Sequence, residues 1–136
     1  MRSLRVKSLN AVATTGTNVY TGSPFLLRKP SLAVSIVVLF QSVGTVTGNL
    51  SFEVSLDDLQ AVEENRATWH KVNVAIFSAL AGTAITFTTG DGAVTNGITS
   101  LFTIASNVMN CTAIRAKFTN ATDGADSVTC IIQDKG

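Results

Sequence analysis

Leu50-Ser51-Phe52-Glu53-Val54-Ser55-Leu56-Asp57 decides the fold. Every even position is apolar and every odd one is polar or charged. A period of two is what a strand shows when one face meets a core and the other meets water. The same alternation recurs on both sides of this stretch. Upstream, Ser31–Gln41 places Leu32, Val34, Ile36, Val38 and Phe40 on one side. Downstream, Ile98–Ala105 carries Ile98, Ser100, Phe102 and Ile104 on one side, and Cys111–Thr119 carries Ile114, Ala116 and Phe118. Ser127–Gln133 turns Val128, Cys130 and Ile132 inward. Shorter runs are read at Trp69–Ser78 (Val72, Val74, Ile76) and Thr83–Thr89 (Ile85, Phe87), with Trp69 expected to cap the core at a strand entrance. Turn residues separate the runs: Ser42–Gly48, read as a hairpin turn, Gly90-Asp91-Gly92, Asn107–Asn110 and Asp123-Gly124. Seven or eight such strands without a βαβ rhythm predict an all-β fold, an antiparallel β-sandwich of jelly-roll or Ig-like type.

Three stretches depart from the pattern. Val37 and Leu39 are apolar on the second side of their strand, which predicts cover on both faces, from the N-terminal segment or from another subunit. Asp57–Arg66, DDLQAVEENR, has helix formers behind an early Asp pair and predicts one short helical insert. Residues 1–24 are rich in Ser, Thr, Gly and Asn. They are read as an extended N-terminal arm with a short strand near Leu4–Leu9, and a second short strand runs Asn18–Leu27 before Pro30 interrupts the ladder. The domain reading is therefore an arm over 1–24 and a single β-sandwich domain over 25–136. The arm can lie as an edge strand or reach a neighbouring subunit.

A chain of 136 residues is long enough to bury a full sandwich core as one domain. Charged residues make up only 14%, against about 25–35% on the surface of a typical soluble monomer, while apolar residues reach 46%. Ser, Thr and Asn at outward positions account for part of the difference, and cover by a partner for the rest. The net charge of +1 is unevenly placed. No acidic residue precedes Glu53, whereas Arg2, Arg5, Lys7, Arg28 and Lys29 are basic. These five are the candidate partner-binding residues, suited to an acidic protein surface. Nucleic acid is not expected, because no dense Arg/Lys run with interleaved aromatics exists. Deleting residues 1–16 is expected, on this reading, to leave a folded sandwich that no longer binds its partner. No continuous apolar core follows the basic first residues, and the longest apolar run, Leu32–Phe40, is about half a membrane span, so neither a signal peptide nor a membrane is expected.

Residue chemistry offers no reaction centre. His70 is the single histidine, beside Trp69, and reads as a packed or rim residue. One His and two distant Cys do not make a metal site. The acid pairs Asp57/Asp58, Glu63/Glu64 and Asp123/Asp126 fall in loops or beside helix formers and read as solvated acids. Cys111 and Cys130 lie on different strands; a disulfide is possible if those strands pair, and two free thiols fit better because their parities differ. The seven Phe sit mostly at inward positions, and one Trp with one Tyr is a thin set for sugar stacking. No catalytic residue, cofactor or metal is assigned, and the chain is read as a non-enzyme.

Three pieces together carry a resemblance. They are SLAVSIVVLFQSVGTVTGNLSFEVSLDD (residues 31–58), ATWHKV (67–72), and SLFTIASN (100–107) followed by AIRAKFTNATDGADSVTCIIQDKG (113–136). Their order resembles the small β-sandwich virion structural proteins of tailed bacteriophages, of the head decoration or cement kind, with the insert 57–66 longer than expected. The resemblance implies a capsid decoration subunit located in the virion, bound to the major capsid protein or another virion protein. It also implies a homo-oligomer, a trimer being favoured. The alternative is a tail-tip, fibre or carbohydrate-recognition module.

Overall fold

The computed structural model describes residues 4–14, 19–26, 36–43, 46–73, 76–83, 85–94, 98–104, 111–120 and 126–134. Two antiparallel sheets pack face to face, with one short helix outside them. One sheet has five strands in the order β1 (Leu4–Thr14), β12 (Asp126–Asp134), β4 (Ile36–Val43), β10 (Thr99–Ile104) and β7 (Ile76–Gly82). The other runs β2 (Val19–Thr21), β11 (Ala113–Asn120), β5 (Gly48–Ser55), β9 (Asp91–Val94) and β8 (Phe87–Thr88). Two short strands extend it: β3 (Phe25–Leu26) pairs with β11, and β6 (His70–Lys71) pairs with β5. The predicted all-β sandwich is the observed fold.

The inward positions are those that alternation marks. Ile36, Val38 and Phe40 of β4, Phe102 and Ile104 of β10, and Val128, Cys130 and Ile132 of β12 are buried on one layer. Leu50, Phe52 and Val54 of β5 and Ile114, Ala116 and Phe118 of β11 are buried on the other. The rings of Phe40 and Phe118 stack between the layers, with centroids 5.9 Å apart and planes inclined by 29°. Parity fails at the end of β5, where Leu56 leaves the strand and is 69% exposed.

Connections depart from expectation more than strands do. Ser42–Gly48 is not a hairpin turn: β4 and β5 lie in different sheets, and the chain crosses between layers there. Val46 is fully buried in that crossing, so an apolar side chain takes the connection through the core edge. Trp69–Ser78 is not one strand either. Its start is β6 on the second sheet and its end runs into β7 on the first, with Val72 packed against the core between them; Val74 lies outside the described residues. Thr83–Thr89 shortens to β8, although Ile85 is buried as expected. The turns at Asn107–Asn110 and Asp123-Gly124 also lie outside the described residues.

A tight hairpin joins β8 to β9. Thr88 pairs with Asp91, which leaves Thr89 and Gly90 as a two-residue loop, and both have positive φ, at 49° and 88°. This is the type I′ pattern, whose twist matches that of paired strands. Glycine accepts it freely, but a β-branched threonine does not. Thr89→Asn creates the Asn-Gly pair that such turns favour. It is expected to raise stability by about 0.5–1 kcal/mol, read as a higher midpoint in urea with an unchanged slope.

The described part of residues 1–24 belongs to the sandwich. β1 pairs antiparallel with β12 from Leu4 opposite Asp134 to Thr14 opposite Asp126, with irregularities between Lys7 and Leu9 and between Leu9 and Val12. Leu9 enters the core and is buried. Ser8 ties the layers together. Its hydroxyl donates to the Ser23 carbonyl at 2.8 Å and accepts from the Ala116 N–H at 2.9 Å. Ser23 N–H returns to the Ser8 carbonyl at 2.8 Å, and Gly22 N–H reaches the Ala116 carbonyl at 2.8 Å. Gly22 has to be glycine here, because a Cβ would land on Ser8 Oγ and 2.6 Å from the Ser8 carbonyl oxygen. Of the two positions open to this segment, edge strand or reaching arm, these residues take the first.

Candidate functional site

The five basic candidates do not come together as one described patch. Arg5 and Lys7 lie on β1, at register positions opposite Gln133 and Ile131. Arg2, Arg28 and Lys29 lie outside the described residues. The charged cluster that the structure does assemble is elsewhere, on the outer face of the second sheet.

Register builds that cluster. Arg115 of β11, Glu53 of β5 and Lys71 of β6 stand in one row across three strands. Directly opposed residues of antiparallel strands put their side chains on the same face. Glu53 Oε1 accepts from Arg115 Nε at 2.9 Å and from Arg115 Nη2 at 2.7 Å, and Glu53 Oε2 accepts from Lys117 Nζ at 3.4 Å. The Arg115 guanidinium lies 4.1 Å from the centre of the Trp69 ring, within cation–π range. Trp69 therefore sits over an outward-facing arginine and does not cap the core as expected. Farther along, Lys71 Nζ and Asp91 Oδ1 form a separate ion pair at 2.6 Å.

The outward residues of β5 are not solvated as their alternation predicts. Ser51 and Ser55 are buried and Glu53 is only 8% exposed. The chain from Leu56 to Trp69 is what the simple pattern omits. It contains α1 (Leu59–Glu63), capped by Asp58, whose Oδ1 accepts from Ala61 N–H at 2.8 Å. Ala61 and Val62 are buried, Asp57 accepts from Thr68 N–H at 2.6 Å, and the segment ends with Trp69 on Arg115. The early Asp pair thus does two jobs: Asp58 starts the helix and Asp57 closes the loop.

A nearly buried carboxylate shared by two cations is held by what would be lost without it. Removing Glu53 leaves Arg115 and Lys117 partly desolvated with no counter-charge among the described residues. Glu53→Ala is expected to cost about 2–3 kcal/mol, toward the lower end for a buried pair because Lys117 is partly hydrated. Denaturant melts of the single variant, and of Glu53→Leu with Arg115→Leu, check this. The double variant is expected to regain much of the loss. Neither arginine nor glutamate shows its role from sequence; only their outward parity is legible.

Other chemistry-bearing residues stay apart. His70 is exposed on β6, opposite Val54. Cys111 and Cys130 are free thiols; burial pushes both up from the ordinary thiol range, Cys130 much farther because it is fully enclosed in the core. Among the described residues, no group of three or more His, Cys, Asp or Glu could hold a metal ion. What the cluster can do is bind: it presents fixed charges and a half-buried indole on a stiff sheet. No known protein family matches the chain, and neither a curated protein nor a solved structure is significantly similar to it.

Proposed function

We propose that the protein is a non-enzymatic virion structural protein of the tailed-phage kind. In this reading it is a capsid decoration or cement subunit that binds the major capsid protein or another virion protein, self-associates, and stabilises the shell. The observation that carries the reading is the two-sidedness of the sandwich. One outer face bears an ordered charged row, Arg115, Glu53 and Lys71, and the other has an uncharged, partly apolar centre on β4 and β10. Such a subunit acts through its surfaces, and many identical interfaces on a shell add up to large stabilisation even when each is modest. The low overall charge and the resemblance of residues 31–136 support the same reading.

Particles purified from the source of the sequence and analysed by mass spectrometry test it. The expected result is this chain at high copy number in intact particles, and earlier loss of packaged genome on heating when it is absent. Its absence from the particles overturns the reading. Saturable binding of the isolated chain to a glycan array would favour the recognition module instead, for which Trp69 already has Arg115 on one ring face.

A further inference from the structure

We propose that two copies of this chain associate by stacking the outer faces of their five-stranded sheets. The inference deepens the reading of a self-associating subunit, and it names the face and the stoichiometry.

The outer face is defined by register. Its central row runs Ile131, Leu39, Leu101 and Ala81 across β12, β4, β10 and β7. The row on one side is Gln133, Val37 and Thr103, and the row on the other is Thr129, Gln41 and Thr99. Val43 closes the face at one end and is 62% exposed. Neither β4 nor β10 contains a charged residue, so the middle of the face is neutral as well as apolar. Ile131 is already nearly buried in the single chain, at 7% exposed, whereas Leu39, Val37 and Leu101 are half-buried, so the part of the row open to a partner centres on β4 and β10. β1, the described part of the segment expected to cover them, lies beside β12 and not over β4.

A second copy fits this face for three reasons. First, the face is neutral, so pairing with itself brings no like charges together at its centre, whereas a charged partner would lose hydration without gaining a counter-ion. Second, sheets of the same twist stack with strands inclined by about 30°, so a copy of this sheet has the right shape. Third, the size suffices. Five strands about 4.8 Å apart and about seven residues long give a face of about 550 Å² in plan, or about 1,100 Å² counted over both copies. That passes the roughly 1,000 Å² expected of a biological interface. A two-fold axis along the strands seats β1 of one copy over β7 of the other. The basic positions Arg5 and Lys7 then stand at opposite rims. One partner satisfies such a face, so the closed unit is a pair and not the ring of three that the resemblance implies.

The solution mass of the full chain over a roughly hundredfold range of concentration, up to about 100 μM, tests this. The wild type is expected to reach twice 14.2 kDa. Leu39→Lys with Leu101→Lys is expected to stay at the single-chain mass with an unchanged far-UV spectrum. Thr119→Lys, exposed on the other sheet, is expected to pair like the wild type. A wild type that remains single or forms trimers overturns the inference, as does a folded double variant that still pairs. Should the double variant fail to fold, hydroxyl-radical footprinting of the wild type decides. Labelling of Leu39, Leu101 and Val43 is expected to fall as mass rises, and unchanged labelling overturns the stack. None of these outcomes depends on where the chain is found. Absence from virions therefore removes the proposed function and leaves the pair, and a trimer does the reverse.

Discussion

Deleting residues 1–16 is expected to yield a chain that does not fold. The sequence alone suggests the opposite, a truncated sandwich that loses only its partner. The difference lies in what β1 does. It is the hydrogen-bonded neighbour of β12 along nearly its whole length, so its loss turns the inner side of a core strand into a bare edge. Leu9 leaves a cavity among the core residues, a loss of about 2–5 kcal/mol for a side chain of this size. Ser8 goes with it, which strands the Ala116 N–H in the interior and removes both hydrogen bonds that hold Ser23. Each unsatisfied buried group costs about 1–3 kcal/mol. Against a typical total of about 5–15 kcal/mol, these losses exhaust the stability of the domain. The expected measurement is insoluble expression, or a far-UV spectrum without the wild-type strand signal. A soluble truncated chain with a cooperative melt would falsify this account of β1.

Phe118→Ala is expected to be the most damaging single substitution among the outward-and-inward alternation of β11. Phe118 is fully buried, and its ring stacks on Phe40 of the opposite sheet. Removing it opens a void between two layers that are each tied down by backbone hydrogen bonds. Neither layer can collapse far enough to fill the space. The expected loss is about 3–5 kcal/mol, which for a chain of this size lowers the melting temperature by roughly 10–20 °C. Phe118→Leu keeps most of the volume and is expected to lose less than half as much. Phe40→Ala is expected to match Phe118→Ala within error. The double Ala variant is expected to lose less than the sum, because the two rings line the same space. Thermal and urea melts of the four proteins check all of these, and strict additivity would show that the two positions do not share a cavity.

The charged cluster shows how far a single chain pattern reaches. Arg115 and Lys117 are outward by parity, and the structure places them there. Glu53 is outward by the same rule, yet it is nearly buried. Parity assigns a residue to a face of its strand but says nothing of what lies over that face. Trp69 is the clearest case, since an indole beside a strand entrance can turn to the core or to a cation, and the neighbour that settles it is far away in the chain. The basic segment is the converse case. Its composition is visible in the sequence, whereas its pairing with the C-terminal strand joins the two ends of the domain and has no local signature.

Local alternation determined which residues make the interior of β4, β5, β10, β11 and β12, because side chains of an extended chain must point to opposite sides in turn. It also determined the short helix, because Asp58 supplies the cap that a first turn requires. Tertiary structure decided which strands pair, that Ser42–Gly48 crosses between sheets, and that the first strand closes an edge of the core. Those choices depend on ladders and packing between residues distant in sequence, and a strand pattern is the same whichever neighbour it meets.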